Sequence, residues 1–147
     1  MNVMKQLLAI LLSIVCLGLP VCKTTEKQTV DKLIEIEKYA SLTIDGTSSI
    51  GVVYDYIKGE IVTYEFVIED QTVIQDIMKG ICNMELEDYP EGQDIDFYQR
   101  WVTVTQGDDE YFIHLGYTSD ERGNRYLCQS QAVCEIIENY IEENVMQ

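Results

Sequence analysis

Residues 65–81, EFVIEDQTVIQDIMKGI, and residues 125–141, RYLCQSQAVCEIIENYI, say nearly the same thing sixty positions apart. Each reads as the end of a strand, then a polar cap, then an amphipathic helix. In alignment Phe66 falls on Tyr126, Asp70 on Ser130, Gln71 on Gln131 and Val73 on Val133, while Ile77 and Ile81 fall on Ile137 and Ile141. The identities are cap-flanking and apolar-stripe positions, so the echo speaks of core building. It fits a pseudo-repeat, and it also fits two capped helices that resemble each other by chance.

The segments around this unit complete the expectation. Apolar residues at Val30, Leu33 and Ile34 predict a helix over residues 29–39. Residues 41–45 alternate, and Asp45–Gly46 is a hairpin signal. Residues 49–57 and 60–68 are rich in Val, Ile, Tyr and Phe, with a turn at Lys58–Gly59. Residues 99–106 and 109–117 are joined at Gly107–Asp108. A two-residue turn there sets Val104 opposite Tyr111 and Val102 opposite Ile113. A last strand covers 124–128, and the acidic stretch 85–96, ELEDYPEGQDID, reads as a loop. The predicted order is α-βββ-α-βββ-α, an α+β fold. Its antiparallel sheet of about six strands carries the helices on one face. With 147 residues and 46% hydrophobic content, one packed domain over 29–147 is expected.

The beginning of the chain differs in kind. Lys5 precedes an unbroken apolar run at 7–19, the pattern of a signal peptide and shorter than a membrane span. Leu19-Pro20-Val21-Cys22 resembles the bacterial lipobox, departing from it at Pro20 and at Val21, where a small residue is usual. The resemblance implies a leader over 1–22, lipidation of Cys22 and a tether over 23–28. The chain would then be held at the outer side of the membrane, or be secreted if the leader is cleaved elsewhere. In general pattern it looks like the small lipoproteins of Gram-positive bacteria.

An exported chain meets oxidising conditions. Cys82, Cys128 and Cys134 follow the leader and allow three pairings; the six-residue corner between Cys128 and Cys134 favours a disulfide there, with Cys82 buried, and buried free thiols are the alternative. No CxxC pair or nearby histidine suggests a metal site, and no cofactor is expected.

The charge excludes one class of partner. All 26 Asp and Glu follow Cys22, and of the ten Lys and Arg only Lys5 precedes it, so leader removal makes the formal −16 one unit more negative. Such a body repels nucleic acid and anionic membrane surfaces. A cationic partner is one reading of the charge, a solvated surface the other.

No nucleophile elbow, HExxH, P-loop or dinucleotide fingerprint is present, so a non-catalytic role is expected. A hydrolase would need a cleft joining Asp94 or Asp96 to His114, the lone histidine. The aromatics speak more clearly. Alternation sets Trp101, Phe112 and His114 opposite the Val102, Val104, Ile113 and Leu115 stripe. If helices cover that stripe, an aromatic sheet face stays open for a protein or an envelope glycan. The alternative is an acidic inhibitor or immunity-type protein acting on a basic enzyme or toxin.

Overall fold

The computed structural model describes residues 29–95 and 97–146. The expected leader and tether, Cys22 among them, and Asp96 lie outside the described residues.

The fold is α+β, with two antiparallel sheets and two helices. The first sheet has the order β2-β1-β4-β5, built from β1 (Thr47–Lys58), β2 (Glu60–Ile68), β4 (Arg100–Gln106) and β5 (Asp109–His114). The second has the order β3-β7-β6, from β3 (Leu86–Asp88), β6 (Tyr117–Ser119) and β7 (Arg125–Cys128). Helix α1 (Gln71–Cys82) follows β2; α2 (Gln131–Tyr140) follows β7 and runs on into a π-helical turn, Ile141–Val145.

The turns behave as their glycines require. Gly59 and Gly107 take φ of 86° and 62°, a region open to Gly at no steric cost. The second turn delivers the expected register, Val104 opposite Tyr111 and Val102 opposite Ile113. Asp70 caps α1, its carboxylate accepting from the backbone N–H groups of Thr72 and Val73. The core is the expected inner sheet face beneath the helix stripes: Ile50, Val52, Tyr54, Val102, Val104 and Ile113 against Ile74, Ile77, Ile81, Val133, Ile137 and Ile141. Each such fully buried aliphatic side chain contributes about 1.5–3 kcal/mol. The helices approach closely at Gly80, where a Cβ would stand 2.6 Å from Val133 Cγ2.

Four expectations are corrected. The single six-stranded sheet is divided in two at Leu115–Gly116. There Leu115 N–H still donates back to Arg100 of β4, whereas Gly116 C=O accepts from Cys128 of β7. A side chain at 116 would collide with Phe97 and His114, so glycine lets the chain turn from one sheet into the other. The first helix is instead two 3₁₀ turns, Leu33–Glu35 and Glu37–Tyr39, with Ile36 extended between them. Buried Leu33, Ile36, Tyr39 and Leu42 recur every third residue, the 3₁₀ period. Residues 41–45 form no strand, because the Gln106 side chain pairs with the backbone of Thr43 as a strand neighbour would. The acidic loop begins as β3, paired with β7 until Asp88.

The echoed units are therefore built alike and used differently. β2 is the edge of the larger sheet, and β7 is the centre of the smaller one. Ser130 is the N-cap residue of α2 but makes no side-chain capping bond; its hydroxyl, buried, donates to Leu115 C=O and ties the helix start to the seam between sheets. Among the described residues, no helix is long and apolar enough to cross a membrane.

Candidate binding face

Both helices lie on the inner side of the four-stranded sheet. The outer side presents rows set by the register: Glu65–Val53–Trp101–His114, and beside it Val67–Gly51–Thr103–Phe112. Phe112 and Val67 are each 58% exposed, Tyr117 is 37% exposed, and Trp101 and His114 are half-buried. Trp101, Phe112 and His114 thus stand together on a face that no described element covers, with Trp101 5.7 Å from Phe112 and 6.3 Å from His114 between ring centroids.

The face continues beyond these three residues. His114 lies 4.4 Å from Tyr117 and 6.0 Å from Phe97; Phe97 lies 4.8 Å from Tyr117 and 6.2 Å from Tyr89. The Arg125 guanidinium closes the series, 3.9 Å from the Tyr89 centroid and 5.9 Å from that of Tyr117. A ribbon of rings therefore crosses the seam from β5 to the three-stranded sheet. Phe97, Tyr117, Tyr89 and Arg125 were invisible to strand alternation, since they come from a loop, a short strand and another sheet. The signal that marks them is aromatic density flanking the acidic loop, Tyr89 before it and Phe97–Tyr98 after it.

Two hollows flank the ribbon. One, of about 410 Å³, is lined by Lys38, Tyr39, Phe112, His114, Tyr117 and Thr118 among others. Thr118, beside Tyr117, is buried, and among the described residues its Oγ1 has no hydrogen-bond partner. The other, of about 730 Å³, opens at the far end among Asp88, Tyr89, Glu91, Asp94 and Arg125. Carboxylates thus rim an aromatic floor.

His114 is held for packing. Its Nδ1 accepts the Gly116 N–H at 2.9 Å, which requires the neutral ring, and burial lowers its pKa below the ordinary 6.5. Asp94 and His114 line separate hollows.

The expected Cys128–Cys134 disulfide is not formed: Cys82, Cys128 and Cys134 are all free thiols. Ser130 lies between them with its hydroxyl bound to Leu115, and Cys134 Sγ is 3.6 Å from Ser130 Oγ. Burial pushes the Cys128 thiol up to about 12, away from the thiolate that thiol chemistry needs. Cys82 is buried, as expected. Among the described residues, no group of three or more His, Cys, Asp or Glu could hold a metal ion.

Comparison with known protein families, curated proteins and solved structures finds no match to the chain.

Proposed function

We propose that the chain is a non-catalytic binding module of the bacterial cell envelope, exported and tethered through Cys22. Its aromatic ribbon receives a protein or an envelope glycan. The observation that carries this reading is the unbroken series from Phe112 through Trp101, His114, Tyr117 and Phe97 to Tyr89, which begins on a sheet face that no described element covers. Rigid amphipathic rings supply contact area at low entropic cost, and they stack on sugar faces as readily as on side chains.

The formal charge of −16 favours a second reading, an acidic inhibitor of a basic enzyme or toxin. One experiment separates the two. Co-sedimentation with purified wall polymer, and pull-down from an envelope fraction, are measured for wild type and for Trp101→Ala with Phe112→Ala. The ribbon reading expects binding to be lost with circular dichroism unchanged, and unchanged binding sinks it. A steep fall of wild-type binding with salt points to the inhibitor. For the tether, labelled palmitate should enter the wild type and not Cys22→Ala; no label in either removes the lipid anchor.

A further inference from the structure

The four-stranded sheet has two edges, and they are treated differently. β5 is six residues long, carries Asp109 and Glu110, and has a backbone carbonyl occupied, since the Tyr39 hydroxyl donates to Phe112 C=O at 3.0 Å. β2 is nine residues long, has no strand on its outer side among the described residues, and carries three large exposed aliphatics: Ile61 at 58%, Val62 at 44% and Val67 at 58%. Natural sheets blunt such an edge or use it.

The sequence of β2, EIVTYEFVI, is close to self-complementary about Tyr64. Side chains on one face of an antiparallel pair meet their direct opposites. When two copies run antiparallel with Tyr64 on the two-fold axis, Ile61 faces Val67, Val62 faces Phe66 and Thr63 faces Glu65. At the two ends of the paired strands Glu60 comes opposite Ile68. Sliding by one pair in one direction sets Glu65 against Glu65, and in the other sets Ile61 against Glu65. The register centred on Tyr64 avoids both. A two-fold axis at this edge is also the isologous symmetry most soluble dimers use.

We propose that β2 is a homodimer edge, pairing with β2 of a second copy to make one continuous eight-stranded sheet. On the outer face Ile57 and Ile61 of one copy then run into Val67, Gly51, Thr103 and Phe112 of the other. The two aromatic ribbons would share one surface. The inference stands independently of what the ribbon binds.

Sedimentation velocity of the full chain tests it, with Ile61→Glu alone and combined with Val67→Lys. Both positions are more than half exposed, so neither change disturbs the core. The expected result is a dimeric wild type, a monomeric Ile61→Glu, and a dimer restored in the double variant, where Glu and Lys meet across the axis. A second readout is the register itself: Tyr64→Cys should cross-link to itself, because residues directly opposite in an antiparallel pair lie within disulfide reach. A monomeric wild type, a dimer indifferent to Ile61→Glu, or a Tyr64→Cys that does not cross-link overturns the proposal.

Discussion

Both faces of the four-stranded sheet carry large apolar and aromatic side chains, yet only one of them is a core. On the inner face Tyr54 is fully buried and its hydroxyl donates to Glu138 of α2 at 2.6 Å; Tyr56 next to it donates to Glu142. Both rings are covered and tied. On the outer face Trp101 meets Phe112 and Tyr117 meets His114 and Phe97, and among the described residues no helix lies over them. The presence of large rings alone therefore does not distinguish a core from an open surface. Coverage does, and coverage is set by which side the two strand-to-helix units return to.

The largest break in that comparison comes from neighbours on one strand. Ile113 is fully buried under the helices and Phe112, beside it, is 58% exposed. Ile113→Ala should cost about 2–5 kcal/mol, the loss of a buried side chain plus the cavity it leaves. Phe112→Ala removes a bigger side chain and should change stability by less than about 1 kcal/mol, because little of that side chain leaves water on folding. Urea denaturation of both variants checks the pair. A Phe112→Ala cost equal to that of Ile113→Ala would show that something covers the outer face.

This difference was half legible in the residues. Period-two alternation placed Ile113 and Phe112 on opposite faces, and the Gly107 turn set their partners, because positive φ and strand pleat are local properties. The division into two sheets was not legible. It depends on Gly116 meeting Phe97 and His114, a contact between residues that no periodicity relates. The first helix was misread because spacings of three and of 3.6 are alike over ten residues, while Leu33, Ile36 and Tyr39 follow the former. Ser130 looked like a cap, as Asp70 is. Its hydroxyl found a buried carbonyl across the seam instead, and the sequence near Ser130 carries no trace of Leu115. The disulfide expected at Cys128 and Cys134 came from spacing along the chain, whereas the corner between them is shaped by hydrogen bonds from the other sheet. Of the ribbon, the three residues on β4 and β5 were visible and the remainder waited on tertiary structure.

A smaller effect sharpens the contrast between tied and untied rings. Tyr54→Phe removes the donor that Glu138 holds at 2.6 Å, leaving that carboxylate with the Arg100 guanidinium at 4.0 Å. A hydrogen bond to a charged, partly hydrated acceptor is worth about 1–2 kcal/mol. Burial and the bond to Glu138 also hold the Tyr54 phenol well above its ordinary range, so this contribution persists through mild alkali. Tyr117→Phe on the outer face should leave stability unchanged within about 0.5 kcal/mol. Thermal melts of the two variants report the difference, and equal losses would mean that Tyr117 is anchored as firmly as Tyr54.

The smallest expected effect concerns the one outer-face ring that is tied. His114 accepts the Gly116 N–H through Nδ1, so protonation would set two donors against each other at 2.9 Å, with Phe97, Tyr117 and Trp101 rings about it. Burial thus lowers the folded pKa below the unfolded 6.5. The unfolded chain then binds the proton first. The stability contributed by the neutral ring is complete above pH 6.5 and declines as pH falls from there through the lower folded value. Carboxylates do not mimic this window. Glu142, for one, is held below its ordinary range by the Tyr56 hydroxyl and by Lys58, so its contribution fades only in stronger acid. His114→Gln keeps a polar side chain of similar reach without a titrating group. Its stability should vary less than that of the wild type just below pH 6.5, and the two profiles should run parallel above it. Parallel profiles throughout would mean that the ring titrates freely, as an untied residue of the open face would.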